Sequence, residues 1–240
     1  MFYNVRIKVF PDGTKQMLWS EKARQREYEI TEPEKEKKHD GESVERKEVD
    51  NMKRAVQVVY DLAKSNVWDW FITLTISPES CDRYDYEKCA DEIKLFTDLI
   101  RHYGCRWLVV PEQHKDGAYH FHGLVQGDLP VVAAVNPKTG ENLLDDSGNQ
   151  VYNISCYQAG WATATRVQDS KRVASYISKY LAKDILVPKG KKRYWASRKL
   201  QKPELLYDTM SKQDFYMQMA QSRYWKEING PYGQFYLCED

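Results

Sequence analysis

No stretch of this sequence is apolar for long enough to cross a bilayer, which takes about 20 consecutive residues as a helix. The opening "MFYNVRIKVF" also lacks the plan of a secretory signal peptide. Cysteine is scarce and unpaired. Cys81, Cys89, Cys105, Cys156 and Cys238 are odd in number and make no CxxC, which argues against a zinc ribbon and for reduced thiols. A soluble cytoplasmic protein with no membrane partner is therefore expected. No GxxxxGK(S/T) occurs, so an ATP-driven motor is not encoded, and internal repeats are absent. Charge of one sign is missing too: 36 Lys and Arg stand against 35 Asp and Glu.

What the chain does have is an uneven distribution of that charge. Between Gly160 and Leu200, eleven Lys or Arg meet only Asp169 and Asp184, about +9 in a protein whose total is +1. Such an excess suits a polyanion-binding face, or a solvated basic one.

With 240 residues, 42% hydrophobic and 13% aromatic, the chain fits one domain with elaborations. "NVRIKVF" and "PDGTKQMLW" read as a hairpin turning at Pro11-Asp12-Gly13, and residues 21–50 as a charged, solvated connector. These make an N-terminal segment, 1–50. In a central domain, 51–200, "RAVQVVYDLAKSN" sets Ala55, Val58, Val59 and Leu62 at helical spacing. "DWFITLTIS" is a strand, and "DYEKCADEIKLFTDLIRHYG" an amphipathic helix. "RWLVVPEQH" and "AYHFHGLVQG" flank a hairpin signal at Asp116-Gly117. "NPKTGENLLDDSGNQ" is a turn-rich surface insertion, and "SKRVASYISKYLAKDI" a second amphipathic helix. Residues 201–240 form a C-terminal extension. The order strand, helix, hairpin, helix predicts an α+β fold, an antiparallel sheet with helices on one face.

The chemistry concentrates in "GAYHFHGLV". Alternate residues of a strand share a face, so His120 and His122 point the same way. Two imidazoles there serve a metal or a hydrogen-bonded core equally. The preceding strand ends in "PEQH", and the hairpin loop decides which of its side chains joins them. A two-residue loop sets Gln113 opposite His120, whereas a three-residue loop with a bulge at Gly117 sets Glu112 and His114 on the histidine face. A carboxylate suits a hard divalent ion better than an amide, which favours Glu112. In "YISKYLAK", Tyr176 and Tyr180 are four residues apart, as are Lys179 and Lys183, so each pair stacks on one helix face. Val173, Tyr176, Ile177, Tyr180 and Leu181 equally make an ordinary core-facing stripe. A tyrosine also serves as a nucleophile where an ammonium favours the phenolate over its usual pKa of about 10.

Taken together, these motifs resemble the HUH endonucleases, the rolling-circle replication initiators of small plasmids, phages and single-stranded DNA viruses. "FITLTIS" is similar to the family's first motif, "HFHGLV" to its two-histidine metal motif, and "YISKYLAK" to its third motif in the two-tyrosine form. They occur in order over residues 70–185. Initiators and some transposases place the tyrosines after the histidines, as here, while conjugative relaxases place them before. The resemblance implies a ferredoxin-like sheet in which His120, His122 and Glu112 hold Mg²⁺ or Mn²⁺ against a phosphate of single-stranded origin DNA. Tyr176 or Tyr180 would attack it, leaving a 5′-phosphotyrosine and a free 3′-hydroxyl. Lys179 and Lys183 would neutralise phosphate charge, and Thr73 and Thr75 would line the floor of the site. "KGKKRYWASRK" interleaves basic and aromatic groups, which makes Lys191, Lys192, Arg193 and Arg198 candidate DNA contacts. A host helicase and polymerase are the implied partners. A two-tyrosine transposase and a non-catalytic nucleic-acid binder on the same sheet are the alternatives.

Overall fold

Strands whose alternate residues are apolar bury one face, and strands apolar on both sides bury two. Both kinds occur in this protein, whose computed structural model describes residues 2–25, 41–182, 187–188, 190–230 and 233–239. The chain begins with β1 (Phe2–Val9), β2 (Lys15–Gln25), α1 (Gly41–Lys64), β3 (Trp70–Ile76), α2 (Tyr86–His102), β4 (Arg106–Gln113) and β5 (Tyr119–Gln126). It continues through β6 (Val131–Ala133), β7 (Tyr152–Ile154), β8 (Gly160–Arg166), α3 (Ser170–Ala182) and β9 (Trp195–Ala196). The last elements are β10 (Glu204–Asp208), α4 (Lys212–Ala220), β11 (Tyr224–Gly230) and β12 (Gly233–Glu239). Two compact units result, Glu48–Gln201 and Met1–Lys47 with Lys202–Asp240. Among the described residues no helix is long and apolar enough to cross a membrane.

The larger unit is built on a seven-stranded antiparallel sheet in the order β6-β7-β8-β3-β5-β4-β9. In its middle, α2 carries the chain from β3 over β5 to β4, and β5 then returns between them. That is the split β-α-β of a ferredoxin-like sheet. The connection from β5 to β8 holds two short strands in place of a helix, and α3 follows β8. α2 starts at Asp85, whose carboxylate accepts from the backbone N–H groups of Glu87 and Lys88, and stops before Gly104, whose φ of +74° ends the turn.

The mixed α+β class is as expected, but the helices divide between the two faces of the sheet. Tyr86 of α2 packs edge-on against Tyr119, which points away from the histidine side. α3 packs on β4 and β5 with its tyrosines over the histidine side. A single helical layer fails because "WFITLTI" and "RWLVVPEQ" carry apolar residues on both faces, and each face needs cover.

The face under α2 is the core: Ile72, Leu74, Val109 and Phe121 are fully buried, each contributing roughly 1.5–3 kcal/mol. Gly123 belongs to this face. A Cβ there would stand 3.0 Å from Ile72 and Val109, so a side chain has no room between them.

Helix α1 begins at Gly41, inside the run read as a connector. Glu, Lys and Arg are good helix formers, and a charged run without a long apolar stripe therefore does not mean coil. Residues 26–40 lie outside the described residues.

The smaller unit is a five-stranded sheet in the order β10-β1-β2-β12-β11. Val5 pairs with Asp208 and Met17 with Tyr236, so the two ends of the chain, expected as separate additions, form one sheet. Its core gathers Val5, Ile7, Met17 and Cys238 with Phe215 and Met219 of α4.

Candidate active site

Directly paired residues of an antiparallel sheet share a face, which makes the rows across β4, β5, β3 and β8 readable. One row is Glu112, His120, Thr75 and Trp161; the next is Val110, His122, Thr73 and Thr163. The β4–β5 loop decides this arrangement. His114 and Ala118 close it around Lys115, Asp116 and Gly117, the last at φ +89°. It is the three-residue form, which sets Glu112 opposite His120. Gln113 turns to the other face, where its amide donates to the Gly117 carbonyl at 3.0 Å. His114 stacks on His120 with ring centroids 3.6 Å apart.

Each histidine meets a threonine of β3. Thr73 Oγ1 lies 3.2 Å from His122 Nδ1, and Thr75 Oγ1 lies 3.3 Å from His120 Nδ1. His122 Nε2 is 2.7 Å from Glu112 Oε2, and both side chains are nearly buried, at 9% and 12% exposure. Burial, followed by the neighbouring His114 and His122 imidazoles, pushes the pKa of His120 down to about 4 against the opposing pull of Glu112. His120 is therefore neutral at physiological pH, with a nitrogen lone pair available as a ligand.

α3 is capped by Asp169, whose carboxylate accepts from the Arg172 backbone N–H at 3.2 Å. Val173, Ala174 and Ile177 of this helix are buried. The two tyrosines do not share their fate. Tyr180 stacks on His122 at 3.8 Å between ring centroids, and its hydroxyl donates to the Tyr176 hydroxyl at 2.6 Å. Burial first, then that donated bond, raises the Tyr180 pKa. Tyr176 is 49% exposed and departs from the core stripe that its spacing also allows. It lines a cleft of about 840 Å³ together with Thr73, Thr163, Thr165, Arg172 and Lys179.

Lys179 is exposed on that cleft, while Lys183 lies outside the described residues. The basic stretch is placed elsewhere, along β9 at the outer edge of β4. Lys191 pairs with Glu87 and Arg193 with Glu48; the Arg193 side chain is only 13% exposed. Arg193 is thus held in a structural ion pair rather than displayed, whereas Lys192 and Arg198 are exposed.

Sequence reading missed Phe71, whose ring lies 5.3 Å from Tyr176 and 5.8 Å from His122. It also missed Thr163 and Thr165, although the alternation of "ATAT" in β8 marks a half-polar strand.

The donor set suits a hard divalent ion: a carboxylate and two imidazoles on one face, each imidazole steadied at Nδ1 by a threonine. Among the described residues, however, no three His, Cys, Asp or Glu side chains stand ready as a metal-holding group. His122 and Glu112 are bonded to each other instead.

Residues 69–185, just under half of the chain, match the model of a family described as replication-associated protein, of the ORF2 type. The matched span runs from β3 through α3 and contains every residue of the two rows and both tyrosines. No curated protein and no solved structure matches the chain. The family match supports a replication initiator of the Rep type, acting on DNA at the start of replication.

Proposed function

We propose that the unit Glu48–Gln201 nicks and rejoins single-stranded origin DNA through a covalent tyrosine adduct, as a rolling-circle initiator of the HUH type. The observation that carries this is the link between the tyrosines and the histidine row: Tyr180 lies flat on His122 and hydrogen-bonds Tyr176 at the mouth of the cleft. An ordinary packing stripe does not require a phenol donating to a second, half-exposed phenol beside two histidines and a carboxylate.

The asymmetry of the pair assigns the roles. Tyr180 keeps its proton and donates it, so the oxygen whose negative charge is stabilised is that of Tyr176. Tyr176 Oη forms the bond to phosphorus as the bond to the 3′ oxygen breaks. The tyrosine gives up its phenolic proton, and the departing 3′ oxygen takes up a proton to become the 3′-hydroxyl that primes synthesis. Tyr180 is the second nucleophile, reaching the next phosphate once Tyr176 carries DNA. Lys179 neutralises phosphate charge in the cleft, and Lys192 and Arg198 contact the strand farther out.

His120, His122 and Glu112 would hold Mg²⁺ or Mn²⁺, which supplies charge withdrawal from the phosphate when bound. Thr73 and Thr75 suit that role because a hydroxyl both donates and accepts. In the metal-free protein, with His122 Nε2–H donating to Glu112, Nδ1 accepts from Thr73. With Nε2 committed as a ligand, Nδ1–H donates to the same oxygen. The host helicase and polymerase would follow from the lack of a motor sequence.

The test is incubation with single-stranded DNA from the cognate origin and Mn²⁺, followed by denaturing electrophoresis. A covalent DNA–protein band is expected from the native protein, reduced in Tyr176→Phe and absent from the Tyr176→Phe, Tyr180→Phe double variant. An undiminished band in the double variant overturns the assignment.

A further inference from the structure

Trp161 is out of place by the ordinary logic of burial. It is the first full residue of β8, on the row that holds Glu112, His120 and Thr75, and it is 65% exposed on the histidine face. Two strand spacings separate it from His120, roughly 10 Å. Single exposed apolar residues are common and need no reason. Here, two further features hold the ring in this position. Its indole N–H donates to Asn153 Oδ1 of β7 across a long 3.4 Å. The residue before it is Gly160, at φ +147°, where a Cβ would fall 2.4 Å from the Thr75 carbonyl oxygen and 2.6 Å from the Ser77 nitrogen. The chain enters β8 pressed against the backbone of β3, and that close approach sets Trp161 down beside the catalytic row.

We infer that Trp161 is a stacking platform for a nucleobase of the single-stranded DNA immediately flanking the phosphate held at the histidines. The inference rests on the proposed function above and adds a base-binding position to it. A single strand exposes a flat apolar face on every base, and an indole with its N–H tied back presents the matching surface whatever the base. Platforms of this kind fix the path of a strand without reading its sequence. With its phosphate at the histidine row and the flanking base on Trp161, the strand runs across β3 and β8, along the side where Thr163 and Thr165 line the cleft.

The experiment is fluorescence anisotropy of the full chain without added metal, against a labelled oligodeoxythymidylate and against an abasic deoxyribose-phosphate strand of equal length. Trp161→Ala is expected to weaken binding to the base-bearing strand by about 5- to 150-fold and to leave the abasic strand unaffected. Trp161→Phe, which keeps an aromatic face, should retain most of the affinity. Equal losses on both strands, or no loss on either, overturn the platform while leaving the nuclease reading intact. If the native chain binds neither strand, the proposed function itself is overturned, and the platform with it.

Discussion

The two faces of β3, β4 and β5 are made by the same residues in alternation, yet they have opposite characters. Toward α2 stand Ile72, Leu74, Val109 and Phe121, each fully buried. Toward α3 stand Thr73, Thr75, His120, His122 and Glu112, bonded in pairs and only partly covered. The first face supplies stability that does not depend on ligand. The second is a polar surface whose groups can exchange partners: Glu112 for another donor to His122, or a threonine acceptor for a threonine donor. Because successive residues belong to different faces, stability and activity are separable by parity along a single strand.

The sharpest break of that comparison uses neighbours in β5. Phe121→Ala should cost about 3–5 kcal/mol in urea denaturation, because a large cavity opens under α2. His122→Ala, one position along, should abolish nicking while costing far less stability, since it truncates a half-polar face that water can reach. Similar stability losses for the two variants would mean that the faces are not separate.

A smaller effect is expected from the threonines. Thr73→Val and Thr75→Val keep volume and strand propensity but remove the hydroxyl that orients each imidazole. Manganese affinity, titrated calorimetrically, should fall about 10- to 100-fold in each, with the melting temperature nearly unchanged. Unchanged affinity would reduce the threonines to sheet residues.

The smallest effect is the pH dependence of the metal-free protein. His120 has a folded pKa of about 4, below its ordinary 6.5, so the unfolded chain takes up this proton first as pH falls. Its contribution to stability is complete above pH 6.5 and is lost as the pH drops toward 4. The melting temperature should decline over that window, and His120→Asn should flatten the decline. A slope that persists in the variant assigns it to other groups.

Much of the site was legible from local spacing. The shared face of His120 and His122, the alternation of Thr73 and Thr75, and the helical pairing of Tyr176 with Tyr180 all follow from the periods of strand and helix. Other features left no local mark. The charged run before Met52 read as coil because it lacks a long apolar stripe, although helix α1 starts at Gly41. β1 and β10 pair across roughly the whole length of the chain, and nothing in either segment names the other.

By itself, then, the sequence determined which residues share a face, because the covalent geometry of strands and helices imposes a period of about 2 or 3.6 wherever the chain goes. It also narrowed the third member of the histidine row to Glu112, Gln113 or His114. Tertiary structure alone decided that the loop holds three residues and brings Glu112 opposite His120. It decided that Tyr180 is covered by His122 while Tyr176 faces the cleft, and that Arg193 is closed in an ion pair with Glu48. These outcomes depend on register and on which face is covered. Both are set by packing between segments far apart in the chain, where no local period operates.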